Sequence, residues 1–319
     1  VKTHAPLPVG VPSAEAADLS LTIGRLTLKN PVGTASGTYG KGIEFLPYYD
    51  TSRLGCVVVK TITLQPRPGN PPPRLVETAG GLLNSIGLPN PGIEAYIEHE
   101  LPKLRTLGAP LVINIAGHDA AEFAVLAARL ERESGIDALE LNMSCPNVAG
   151  GLDFSASPAA ARDVVRRVRD VTARPLIAKL SPNVTDIRPI AVAAQEAGAD
   201  AVSAINTFVG MAIDWRTRAP LLGRGLGGLS GPAIKPLALR IVWQLSKVVT
   251  IPIVGIGGVA TADDAMEFLV AGASAVQVGT ANYINPRAAI EVLDGLPERF
   301  AALGARCLKD VVGTLKMPV

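Results

Sequence analysis

The chain has 319 residues, 48% of them hydrophobic, which allows a large buried core and argues against a disordered chain. Thirty basic against twenty-eight acidic side chains leave a net charge of +2, too balanced for a nucleic-acid or anionic-membrane footprint. Gly (32) and Pro (26) are abundant while aromatics reach only 4%, which suits many short turns between small elements and argues against single-strand stacking platforms.

Residues 1–18 (VKTHAPLPVGVPSAEAAD) read as an N-terminal extension with no apolar run of signal-peptide or anchor length. Residues 19–28 (LSLTIGRLTL) predict two short strands turning at Gly24–Arg25, a hairpin closing the bottom of whatever follows. Eight apolar runs then predict strands at 30–37, 55–61, 110–117, 138–145, 175–181, 201–207, 251–258 and 275–281. They are near-continuously apolar rather than alternating, as in parallel strands covered on both faces. Helices are predicted between them at 93–106, 119–134, 157–172, 185–197, 233–248 and 261–271. The last starts on Thr261 with Asp263 and Asp264 in its first turn, where the helix dipole favours acids. Eight strands alternating with helices is the pattern of an α/β (β/α)8 TIM barrel. Two βα connections, 61–91 and 206–232, are long enough to be functional. No linker or repeat divides the chain, so residues 1–319 are expected to form one domain, with 298–319 as a C-terminal segment.

Each strand ends in groups able to do chemistry. In order these are Ser36, Lys60 with Thr61, Asn114, Asn142 with Cys145, Lys179 with Ser181, Asn206 with Thr207, Gly257–Gly258 and Gly279–Thr280. In a parallel barrel those ends converge on one mouth. An Asn or Ser at a single strand end ordinarily just turns the chain; eight strands doing so together point to a pocket. Lys60 and Lys179 emerge from apolar strands, where an ammonium needs an anionic ligand or a carboxylate partner, for instance Glu140 on a neighbouring strand. Residues 255–260 (GIGGVA) match GxGxxA formally, but the next strand ends in Gly279–Thr280 and not in the acid of a dinucleotide site. Residues 223–228 (GRGLGG) fit GxGxxG within a predicted loop, a weak signal. Glycine-rich ends of strands 7 and 8 suit one phosphate, and with Lys179 nearby this suggests flavin mononucleotide, FMN.

Three cysteines far apart argue against a disulfide framework, and the lack of CxxC, HExxH or clustered His against a metal site in this chain. Cys56 reads as a buried filler, Cys307 lies outside the strands, and His118 reads as surface. Cys145, in a glycine-containing loop at the mouth, is the candidate base. The chain is expected to be cytoplasmic, with no nucleic acid or membrane as partner.

NPVGTASGTYG (30–40), VKTITLQPRPGNPPPR (59–74), LLNSIGLPNPG (82–92) and LNMSCPNVAGG (141–151) resemble the dihydroorotate dehydrogenases. INTFVGM (205–211), GGLSGPAIKP (227–236), VGIGGVATADDA (254–265) and AVQVGTA continue the likeness over nearly the whole chain. The resemblance implies an FMN barrel, one FMN per chain, that oxidises dihydroorotate to orotate in pyrimidine biosynthesis. Ser36, Lys60, Thr61, Asn114, Asn142, Lys179 and Ile205 would contact FMN, and Gly231, Gly257, Gly258, Gly279 and Thr280 its phosphate end. Lys60, Asn84, Ser85, Ile86, Gly87, Leu88, Asn142, Asn206 and Thr207 would contact substrate. Cys145 would take the C5 proton while hydride leaves C6 for the flavin. Cys at the base position resembles class 1, and the short AGGLDF after CPNV resembles subclass 1B. That implies a homodimer joined by a separate electron-transfer subunit, which holds FAD and a [2Fe–2S] cluster and passes electrons to NAD, in a heterotetramer. A fumarate-using 1A enzyme, a dihydropyrimidine dehydrogenase-like flavoenzyme and an inactive flavin-binding barrel are the alternatives.

Overall fold

The structure is a computed structural model, and it describes residues 17–143 and 156–318. Eight parallel strands form the centre: β1 (Val32–Thr34), β2 (Val57–Val58), β3 (Leu111–Ile115), β4 (Ala138–Asn142), β5 (Leu176–Leu180), β6 (Ala201–Ala204), β7 (Ile253–Ile256) and β8 (Ala275–Val278). Each lies inside the run predicted for it. The sheet runs β1–β8–β7–β6–β5–β4–β3–β2. It closes between β1 and β2, where Gly33 pairs with Cys56 and the Gly55 amide donates to Val32 O at 2.9 Å. Above that bridge the Thr34 hydroxyl replaces a ladder rung, accepting from Val58 N at 2.9 Å. This is a (β/α)8 barrel, as predicted.

The two-residue period of a strand sorts the barrel's side chains into layers. Cys56, Val58, Val112, Ala138, Ile177, Ala201, Val254 and Ala275 make an apolar bottom layer. The predicted hairpin, Leu21–Ile23 and Leu26–Leu28 about Gly24–Arg25, buries Ile23 and Leu28 against it. Each burial contributes roughly 1.5–3 kcal/mol. One step up the same strands stand Asn114, Glu140, Lys179, Ser203 and Gln277, all buried. The outward residues pack on the helices in a second, larger cluster that includes Phe123, Leu126, Phe268 and Phe300.

Helices occupy the predicted intervals, for example Ala120–Glu131, Pro158–Arg169, Lys235–Leu245 and Ala262–Ala271. The last opens on the capping box Thr261–Asp264, consistent with the acidic first turn read from the sequence. One long helix lies outside the predicted set: Ala288–Leu303 follows β8 and crosses residue 298, where a C-terminal segment was expected. Gly295 and Pro297 inside it are local breaker signals. Buried Ile290, Val292, Leu296 and Phe300 outweigh them by packing on the barrel.

The two long βα connections are not loops only. Phe208–Met211, Leu226–Ser230, Gly81–Asn84 and Leu75–Thr78 form one antiparallel four-stranded sheet in that order, joining both connections over the mouth. The GxGxxG stretch expected in a loop therefore lies partly in a strand. Gly228 is glycine because a Cβ there would lie 1.9 Å from Thr207 Oγ1, which packs directly beneath. Among the described residues no helix is long and apolar enough to cross a membrane.

Candidate active site

The strand ends and the cover sheet enclose a cavity of about 1050 Å³, counting the part open to solvent. Its floor carries the Lys179 ammonium, 6% exposed, which donates to Ser36 Oγ at 3.1 Å. On the β2 and β4 side Asn142 Nδ2 lies 3.5 Å from Thr61 Oγ1, and Lys60 emerges half-buried at the end of β2. From β6 comes Asn206, whose Nδ2 donates to Asn142 Oδ1 at 3.4 Å. The Thr207 amide donates to Asn206 Oδ1 at 2.8 Å, which fixes the Asn206 carboxamide. Asn84 reaches in from the cover sheet and is held by its own donation to Gly228 O at 2.9 Å. Asn amides, a hydroxyl and an ammonium thus meet at one side of the cavity.

The opposite end is built from backbone. Gly231, Gly257, Gly258 and Gly279 line it with Thr280, whose hydroxyl donates to Ser230 Oγ at 2.8 Å. Gly258 has φ +79°, and a Cβ on it would lie 2.9 Å from Gly231 O. The left-handed backbone and the close packing of this turn thus exclude a side chain at Gly258. The turn is braced from behind. Lys235 pairs with Asp264 at 2.6 Å and with Glu267 at 2.8 Å, and Asp264 accepts from the amides of Ala260 and Thr261. Burial acts to raise the Asp264 carboxyl, but Lys235 and those amides outweigh it and hold it below the usual carboxylate range. Between the two ends Leu82, Ile205 and Ile256 supply apolar walls.

Most of the residues singled out from the sequence line this one cavity. Ser36, Lys60, Thr61, Asn142, Lys179, Ile205, Gly231, Gly257, Gly258, Gly279 and Thr280 do so, as do Asn84, Ile86, Leu88, Asn206 and Thr207. Three do not. Asn114 lies below the floor, fully buried, donating to Glu140 Oε1 at 2.6 Å. Ser85 is turned away onto Asn70, whose Nδ2 lies 3.1 Å from its hydroxyl, and Gly87 is packed so closely that a Cβ would fall 2.6 Å from the same Asn70. Cys145 lies outside the described residues. Cys56 is buried in the bottom layer, where desolvation first, then Glu140 and Asp137, push its thiol up to about 12; His118 is exposed.

The sequence reading passed over Thr38, Leu75, Ser230, Ile234 and Tyr283 in the lining. Thr38 directly follows a strand-end motif and could have been read from it. The others come from the cover sheet and from segments after β8 and before a helix, which no local signal marks. Among the described residues no group of three or more His, Cys, Asp or Glu is placed to hold a metal ion.

A closed (β/α)8 barrel with convergent polar strand ends, a glycine-lined end and a sheet over the mouth has the architecture of a barrel enzyme. A sequence model of the dihydroorotate dehydrogenase family matches residues 18–300, and the chain belongs to that family, an oxidoreductase one. It is 54% identical over 295 residues to a protein of Desulforudis audaxviator, covering 92% of this chain and 96% of that one. Over 297 residues it is 52% identical to one of Desulforamulus reducens, covering 93% and 98%; over 301 residues it is 51% identical to one of Geotalea daltonii, covering 94% and 99%. All three relatives are named dihydroorotate dehydrogenase B (NAD(+)), catalytic subunit.

Proposed function

We propose that this chain binds FMN in the mouth cavity and oxidises dihydroorotate to orotate for pyrimidine biosynthesis, as the catalytic subunit of an enzyme whose electrons reach NAD. The observation that carries the reading is the two-ended cavity. Lys60, Asn84, Asn142, Asn206 and Thr207 stand at one end and the glycine cradle at the other, with apolar walls between. A flat ring with a polar edge and a phosphorylated tail fits that arrangement of lining groups. FMN supplies the hydride acceptor when bound.

Ser36, Lys60, Thr61, Asn142, Lys179 and Ile205 face the ring in this reading, with Asn114 supporting from below; Gly231, Gly257, Gly258, Gly279 and Thr280 hold the phosphate. Dihydroorotate is a carboxylate on a ring of alternating N–H and C=O groups. Lys60 provides the cation for the carboxylate. Asn142 and Asn206 each offer a donor and an acceptor, and their mutual contact at 3.4 Å sets the two amides edge to edge against such a ring. Segment 84–88 closes the pocket over the substrate, with Asn84, Ile86 and Leu88 turned inward and Ser85 and Gly87 anchoring the backbone. Lys179 keeps positive charge at the floor, where negative charge gathers as the substrate is oxidised. Cys145 is assigned the C5 proton.

Three relatives carry NAD(+) and a catalytic-subunit designation in their names, which supports a separate electron-transfer subunit. We assign FAD and a [2Fe–2S] cluster to that partner, and a homodimer of this chain to the core of a heterotetramer in the cytoplasm. One anaerobic titration tests the whole reading. The purified chain should be yellow, dihydroorotate should bleach it, and uracil-type substrates should not. The reduced chain alone should re-oxidise slowly with fumarate and with NAD, and rapidly with NAD once the partner is added. Flavin that dihydroorotate never bleaches would refute the activity. Rapid fumarate turnover by the chain alone would refute the NAD assignment and leave the activity standing.

A further inference from the structure

Below the cavity floor four strands place polar side chains around one carboxylate. Glu140 is 0% exposed. Its Oε1 accepts from Asn114 Nδ2 at 2.6 Å on β3; its Oε2 accepts from Ser203 Oγ at 3.0 Å on β6 and from Gln277 Nε2 at 3.1 Å on β8. A carboxylate is an acceptor with about four lone-pair sites, and three neutral donors from three strands hold this one immobile. The remaining neighbour is charged: Lys179 Nζ on β5 lies 3.7 Å from Glu140 Oε1 and 3.1 Å from Ser36 Oγ. The ammonium therefore sits between an anion beneath it and a hydroxyl at the mouth. Among the described residues Glu140 is the acidic side chain within ion-pair reach of it.

We propose that Glu140 is a positioning residue for the reaction: anchored by Asn114, Ser203 and Gln277, it holds the Lys179 ammonium in place, aimed into the cavity toward bound FMN. This rests on the FMN reading above. A buried ammonium without its carboxylate loses the interaction that offsets its desolvation, and nothing then fixes it at the floor. The cavity floor loses its positioned donor. Glu140 itself lies beneath that floor, so its effect on the cofactor runs through Lys179. Asn114, assigned from the resemblance as a flavin contact, is in this structure one of the three groups that hold the anchor.

The test is a double-mutant cycle on cofactor affinity. FMN is stripped from the full chain, and its dissociation constant is measured by quenching of FMN fluorescence for wild type, E140Q, K179Q and E140Q/K179Q. E140Q is expected to fold, because Gln277 Oε1 has no partner among the described residues and an amide flip offers it to the new N–H. E140Q should bind FMN about tenfold more weakly, and the double variant should be no weaker than K179Q alone. E140D, which keeps the charge one bond further away, should recover most of the loss. If E140Q does not fold, the same cycle is run with E140D, whose smaller loss should likewise vanish in the K179Q background. Wild-type affinity in E140Q, or losses that simply add to those of K179Q, would overturn the proposal, since a purely structural role acts independently of Lys179. A wild-type chain that binds no FMN would instead refute the underlying cofactor reading.

Discussion

Gly258→Ala is the sharpest probe of the phosphate end of the cavity. Gly258 sits at φ +79°, and an L-residue in that left-handed conformation costs about 1–2 kcal/mol. The added methyl also meets Lys235 Cβ at 2.8 Å and Gly231 O at 2.9 Å. Neither neighbour gives easily: Lys235 is tied to Asp264 and Glu267, and the Gly231 oxygen is main chain. Overpacking of this kind costs about 1–3 kcal/mol. The total, about 2–5 kcal/mol, is divided between folding and the cradle's ability to close on an anion. If only about 1.4 kcal/mol falls on binding, FMN affinity drops tenfold. Fluorescence titration of FMN-stripped protein measures that loss, and the melting temperature of the same sample measures the rest. Gly304→Ala is the control. It has φ +67° at the end of helix Ala288–Leu303 with nothing within 4 Å of a new Cβ, so it carries the backbone cost alone. It should lower the melting temperature by about 2–4 °C and leave FMN affinity unchanged. Wild-type FMN affinity in Gly258→Ala, or equal losses in both variants, would refute the cradle.

Cys145→Ala should retain FMN while anaerobic reduction by dihydroorotate slows by about 10²–10⁴-fold in stopped flow, and an unchanged rate would remove Cys145 as the base. Cys56, with its thiol pushed up to about 12, should be only about one ten-thousandth thiolate at pH 8. A chromogenic disulfide reagent should therefore leave it untouched in the native protein and label it in urea; rapid native labelling mapped to Cys56 would contradict its burial. Asp264→Asn should destabilise the chain at neutral pH by about 1–3 kcal/mol, since it leaves Lys235 with Glu267 as its remaining carboxylate and weakens the capping box. The Asp264 carboxyl is held below its usual range, so its contribution is present above about pH 4 and lost as the pH falls through the folded value. Urea titrations should thus show the gap between variant and wild type closing towards pH 3, and a gap that widens in acid would reverse the sign argued here.

The barrel was legible because a parallel strand covered on both faces must be apolar along its length, and such runs stand out between turn residues. The strand-end rule carried the site equally far: Lys60, Asn142, Lys179 and Asn206 share one cavity because parallel strands all end at the same rim. Helix Ala288–Leu303 was hidden by Gly295 and Pro297, signals that are local while the packing of Leu296 and Phe300 is not. The cover sheet was equally hidden. Asn84 and Gly228 pair across 144 residues, and their ladder is made of backbone groups that every residue carries. The sequence by itself determined the order of the eight barrel strands, the family and the chemistry available at the strand ends. Tertiary structure alone decided that Ser85 and Gly87 turn from the cavity. It also decided that Asn114 faces a carboxylate, and that Ser203 and Gln277, unremarkable in their strands, hold that carboxylate under Lys179. Barrel closure is the reason: it makes neighbours of side chains whose separation along the chain carries no trace of their meeting.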